Sequence, residues 1–131
     1  MNQAEVSPYC IFKPAKPTDV SVLVLLSRLT QCPFAVKSGG HAAFAGSSNI
    51  EGGITVSLEK LNGITVSADK STVAIQPGNA WASVYTKLDG LGLTVTGGRV
   101  SRVGTGGLTL GGECITGHTP LAHPPRAQLT R

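Results

Sequence analysis

Val36-Lys37-Ser38-Gly39-Gly40-His41-Ala42 is the stretch on which the fold turns, and Val103-Gly104-Thr105-Gly106-Gly107-Leu108-Thr109-Leu110-Gly111-Gly112 is its counterpart further along. Each glycine run follows a short apolar segment, Phe34-Ala35-Val36 in one case and Leu93-Thr94-Val95 in the other. Between Gly97 and Gly112 seven of sixteen residues are glycine, a density no ordinary core element tolerates unless the backbone must approach something flat or charged. Main chain without Cβ atoms exposes consecutive N–H groups, which form an anion-binding concavity able to take a diphosphate. Lys37 and Ser38 add a cation and a hydroxyl donor beside the first loop. Neither loop contains GK[ST] or G-x-G-x-x-G, so this is neither a P-loop nor a Rossmann fingerprint. The pair points to a nucleotide cofactor, although glycine-rich turns also serve purely structural ends.

Working outward, Tyr9–Phe12 is a short apolar run before Lys13-Pro14 and Pro17, which predicts an edge strand and a turn. A helix is expected next, capped by Thr18, with Asp19 favourable against the helix dipole and Val20, Leu23, Val24 and Leu26 facing the core through about Leu29. Cys32-Pro33 ends it, and Phe34–Val36 reads as a buried strand, giving a strand-helix-strand unit of parallel type. Ala42–Gly53 is a Gly/Ser-rich loop. Ile54–Leu58, Ile64–Val66 and Thr72–Ile75 then read as an antiparallel meander. After the turn at Pro77-Gly78, Asn79 can cap a short helix whose one face is Trp81, Val84, Tyr85 and Leu88, closed by Gly90. Glu113–Arg131 has two His, three Pro and no apolar period, so it is expected to be a disordered tail.

The chain has 131 residues, enough for one small core but not for a two-lobed enzyme with a complete cleft. It is 40% hydrophobic and 14% charged, which excludes a disordered charged tail. Eleven Lys and Arg against seven Asp and Glu give +4, but they are scattered, so no nucleic-acid footprint is expected. The longest apolar stretch, Val22–Leu26, is far too short for a membrane helix, and the start lacks both the basic and the apolar region of a signal peptide. Cys10, Cys32 and Cys114 have no metal or disulfide spacing and read as buried thiols. His118 and His123 lack partners for a metal.

VKSGGHA, IEGGITVSLEKLN, IQPGNAWASVYTKLDGLGLTVTGGR and VGTGGLTLGG, in that order, closely resemble the N-terminal part of the FAD-binding domain of the p-cresol methylhydroxylase (PCMH) type, nearest to berberine-bridge-like, fungal FAD-linked oxidases. The resemblance covers Pro8–Gly112. It implies an α+β fold: a small strand-helix-strand unit followed by a mostly antiparallel sheet with flanking helices, truncated, with residues 1–112 as a partial FAD domain and 113–131 as an unrelated tail. It implies FAD as cofactor, joined covalently through His41 to the 8α-methyl of the isoalloxazine. It places Lys37, Ser38, Gly39, Gly40 and Gly46 along the pyrophosphate, and Gly98, Val103, Gly104, Gly106 and Gly107 on the cofactor's other side.

This chain departs from the family in three respects. Ala42 stands where many relatives have Ser or Thr, Val100 stands where bicovalent members have Cys, and Glu113 begins sequence unlike the family's continuation. The implied activity is that of an FAD-dependent oxidoreductase of fungal secondary metabolism, passing a substrate hydride to flavin N5 and the electrons to O2. The alternative is a truncated, inactive remnant with weak or no FAD binding. The implied partner is a small-molecule substrate of unknown identity, with no catalytic base in this stretch. Relatives are commonly secreted, so location stays open, and exposed apolar surface is expected to limit solubility.

Overall fold

The computed structural model describes residues 6–111 and, as backbone, the strand at Gln128–Leu129. The chain opens with β1 (Cys10–Phe12), α1 (Pro17–Thr30), β2 (Phe34–Lys37) and β3 (Ile54–Ser57). These strands form a parallel sheet of order β1-β3-β2, with Cys10, Ile54 and Phe34 in one row and Phe12, Val56 and Val36 in another. β1 and β2 are parallel, as the strand-helix-strand pattern requires, but they flank β3 rather than each other. The meander reading fails at its first strand, because Ile54–Ser57 fills this central slot. Its alternation is that of a strand buried on both faces: Thr55, Val56 and Ser57 are all buried.

β2 itself is an edge strand, not a buried one, and Val36 is half exposed. Pro17 occupies the first position of α1, where its fixed φ suits a helix start, so the cap is Lys16 and Thr18 lies inside the first turn. The Asp19 carboxylate accepts the backbone N–H groups of Ala15 and Lys16 at 2.9 and 3.1 Å, satisfying donors a helix start leaves free. Of the expected core stripe only Leu23 is buried, whereas Val24 and Leu26 face outward. Val22, Leu25, Leu26 and Leu29 form an exposed apolar stripe along the helix instead. Neither of the two described cysteines is buried: Cys10 is exposed and Cys32 partly so.

A 3-10 turn (Leu58–Lys60) leads to β4 (Ile64–Val66) and β5 (Thr72–Ile75), which pair antiparallel with Val66 opposite Val73. β6 (Gln128–Leu129) runs parallel to β5 on its other side. The tail expected from Glu113 onward otherwise lies outside the described residues, as do Cys114, His118 and His123. α2 (Trp81–Asp89) and α3 (Thr105–Gly111) complete the fold. Trp81, Val84 and Leu88 are wholly buried and join Val73, Leu93, Val95, Val103 and Leu108 in a core that Tyr85 and Ile75 border. Trp81 is its largest member, and burying an indole of that size stabilises by about 4–6 kcal/mol before entropy is counted. The cap of α2 is Ala80, because the Asn79 amide instead donates to the Gln76 and Gly63 carbonyls at 2.9 and 3.3 Å.

Candidate functional site

The first glycine bend leaves the carboxyl end of β2 at Lys37, and the second runs into α3. The fold brings them into direct main-chain contact. A Cβ added to Gly39 would stand 2.7 Å from the Gly104 Cα, and one added to Gly104 would stand 2.8 Å from the Gly39 Cα. Carbon atoms not bonded to each other rest at about 3.5–4.0 Å, so neither position admits a side chain unless the bends part. Ser38 locks the junction: its hydroxyl donates to the Pro77 carbonyl at 2.5 Å. Gly106 abuts the same point, 3.1 Å separating a virtual Cβ from the Pro77 Cβ. Gly104 is held from the other side through its bridge to Ala80, while the Thr105 N–H donates to the Asn79 carbonyl at 2.9 Å.

Beside this junction a hollow of about 570 Å³ opens over one face of the parallel sheet. Lys37, Gly39 and Gly40 form the wall nearest the bend, with Thr55, Ser57 and Asn49 as polar floor and Ile11 and Pro8 as apolar flank. Lys13, Ser57 and Lys37 follow from the register as one row across the ends of the three strands. Lys13 pairs with Glu59 at 2.8 Å. That ammonium, helped by the Ser57 hydroxyl donating at 3.2 Å, holds the Glu59 carboxyl below its ordinary value, and the charge of Lys37 adds to the effect. Two ammonium groups against one carboxylate leave this wall net positive, which suits an anion. The crevice outside the carboxyl ends of parallel strands is also where open α/β sheets place their ligands.

Of the residues the sequence singles out, Ser38, Gly39, Gly104 and Gly106 meet at the junction, and Lys37 and Gly40 line the hollow. His41 follows Gly40 directly and is exposed. Gly46 sits in an exposed turn at φ 75°, open to backbone only at 4.0 Å. Val103 is a core residue whose carbonyl accepts the Trp81 N–H at 3.0 Å. Gly98 is buried against Trp81 and Leu108 rather than at the junction. Gly107 is exposed in the first turn of α3 with nothing near its missing side chain. The second glycine run was expected to be loop throughout, yet Thr105–Gly111 is helical. Its apolar Leu108 reaches the core, and that burial overrides the low helix propensity of glycine. In the sequence Pro77 reads only as a turn and Tyr85 only as part of a helix face, although the first receives the Ser38 hydroxyl and the second hydrogen-bonds Gly98.

The cradle fits a dinucleotide: bare main chain from two segments, a hydroxyl, and a net positive wall beside a hollow of ligand size. Comparison with known proteins agrees. Residues 8–121 match the FAD binding domain family, reaching past Gly112. The chain is 41% identical over 110 residues to the FAD-dependent monooxygenase tpcD of Cochliobolus heterostrophus, covering 84% of this chain and 21% of that protein. It is 44% identical over 103 residues to the FAD-dependent monooxygenase macF of Penicillium terrestre, covering 78% of this chain and 20% of that protein. Among solved structures, 6-hydroxy-D-nicotine oxidase from Arthrobacter nicotinovorans superposes with a TM-score of 0.69 at 26% identity, over 75% of this chain and 21% of that one. Chitooligosaccharide oxidase does so with a TM-score of 0.68 at 25% identity, over 81% and 23%. This chain thus spans about a fifth of the length of the proteins it matches. With a family match over most of its length and the fold of those flavoenzymes, the chain belongs to the FAD-binding domain family of PCMH type, whose cofactor is FAD.

Proposed function

We propose that this chain is the cofactor-gripping segment of an FAD-dependent oxidoreductase of fungal secondary metabolism. The observation that carries the reading is the backbone contact between Gly39 and Gly104, tied by the Ser38–Pro77 hydrogen bond. Ser38, Gly39 and Gly40 on one side and Gly104 and Gly106 on the other hold the diphosphate with main-chain N–H groups, and Lys37 balances its charge. Bound FAD supplies hydride acceptance at N5 and electron transfer to O2, and the protein contributes placement and electrostatics. His41, exposed beside Gly40, is the attachment point for the 8α-methyl carbon. Attachment would replace one C–H of that methyl and the imidazole N–H by a C–N bond, the two hydrogens and two electrons passing to O2 to give H2O2. The substrate is a small molecule, with an alcohol, amine or ring carbon as hydride donor.

The apolar stripe on α1, with Leu29 at 81% exposure, favours a second reading: a chain that on its own binds FAD weakly and turns over nothing. One experiment separates the two. The purified chain is incubated with FAD, freed of excess, and precipitated with acid. Under the first reading the flavin absorbance stays with the pellet for the wild type and moves to the supernatant for His41→Ala. A chain that never acquires flavin absorbance supports the second. Flavin retained in the pellet of His41→Ala refutes the attachment.

A further inference from the structure

The second bend is held from behind by two aromatic rings that the cofactor reading does not use. Trp81 and Tyr85 stack on one face of α2, ring centroids 5.7 Å apart and planes at 27°. Gly98 lies against the Trp81 ring: a Cβ there would stand 2.6 Å from the Trp81 Cδ1 and 2.8 Å from its Nε1. The Tyr85 hydroxyl donates to the Gly98 carbonyl at 2.9 Å. The buried indole Nε1–H of Trp81 has no partner among the described residues, so within the ring pair Tyr85 makes the side-chain polar tie to the strap. From Gly98 the strap runs on through contacts with the start of α2: Ser101 and Val103 carbonyls accept the N–H groups of Ala82 and Trp81, each at 3.0 Å. It ends at Gly104, pressed on Gly39. The strap is thus anchored at both ends, at Gly98 by Tyr85 and at the other by Ala80 to Gly104 and Asn79 to Thr105.

We propose that Tyr85 is a positioning residue for the cofactor site: its hydroxyl bond to Gly98 sets where the 98–104 strap lies, and so how the second glycine bend seats against the first. Burial pushes the Tyr85 hydroxyl pKa up, in keeping with a neutral donor over the working pH range. The inference rests on FAD binding at the hollow beside the junction, and Tyr85→Phe tests it because the ring stays and only the hydroxyl goes. Amide hydrogen exchange is read at Val103 and Thr105, whose N–H groups donate to Val100 and Asn79, against amides of β4 and β5 as reference. FAD affinity is measured by quenching of flavin fluorescence.

The expected result is faster exchange at Val103 and Thr105 with the reference unchanged, and FAD binding weaker by about five- to tenfold, the loss of one hydrogen bond expressed as affinity. Exchange that is unchanged, or raised equally across β4 and β5, overturns the proposal, since Tyr85 would then be inert or merely structural. Wild-type affinity in a variant whose parent binds FAD also overturns it. If the parent chain does not bind FAD, the cofactor reading fails on its own, and the exchange comparison still decides whether Tyr85 places the strap.

Discussion

Replacing Gly104 by alanine probes the junction most directly. The new Cβ would lie 2.8 Å from the Gly39 Cα, so the bends must separate by roughly 1 Å to reach normal carbon contact. The Ser38 hydroxyl also stands in its way and cannot swing aside without abandoning the Pro77 carbonyl. Overpacking of this kind costs about 1–3 kcal/mol, and a lost hydrogen bond adds about 1 kcal/mol. Even at the lower end of that sum, ~2 kcal/mol, the melting temperature of a domain this size falls by roughly 10 °C, read by thermal unfolding in circular dichroism. Gly107→Ala is the internal control: its Cβ meets nothing within 4 Å, and alanine in a helix is favoured by about 0.5–1 kcal/mol, so that variant should melt a few degrees higher. If Gly104→Ala melts with the wild type, the bends are not in contact and the cradle argument is wrong.

Three further outcomes follow from other parts of the molecule. Asp69 accepts the Ser67 and Ser71 hydroxyls and the Ser71 N–H, which lower its pKa from 3.8 to about 2. The folded value lies below the unfolded one, so this contribution is present above roughly pH 4 and is lost as pH falls through about 2. Asp69→Asn should therefore flatten the pH dependence of the urea midpoint in that window, and parallel profiles for the two proteins would disprove the assignment. Lys70 holds φ 56° in the same turn, a conformation costly for a side chain, so Lys70→Gly should raise the melting temperature by a few degrees, or about 0.5–1 kcal/mol. Leu25→Lys with Leu29→Lys should reduce light scattering at high concentration with no loss of thermal stability, because both side chains are exposed; a lower melting temperature would mean that the stripe is packed.

Much of the site was legible because its signal is local and chemical. Glycine runs after strands, with Lys37 and Ser38 alongside, announce an anion cradle whatever the surrounding topology. The pairing of the two bends was implied only by resemblance, since nothing in the spacing of Gly39 and Gly104 states that they touch. The helices α1 and α2 were legible from period and punctuation, although Pro17 displaced the expected cap of α1 by fixing φ one residue earlier, whereas α3 was hidden by its glycines. Sheet membership was not legible. Ile54–Ser57 alternates like a meander strand, yet partner choice is decided by long-range packing, and this segment is claimed by two strands already waiting on either side. The apolar stripe of α1 misled for a related reason: a hydrophobic period reports that a face wants burial, not which face receives it within the described residues.

The central place of β3 has a consequence for how the chain matures on the ribosome. β1 and β2 leave the exit tunnel first, but each needs Ile54–Ser57 as its hydrogen-bonding neighbour, so both wait unpaired until that third strand appears. The Lys37–Gly40 bend hangs from β2 and stays shapeless for the same interval. Gly104 arrives later still. Nascent chains halted before residue 54 should therefore be cut readily by protease within β1 and β2, and resistance should arise in one step once Ser57 has emerged.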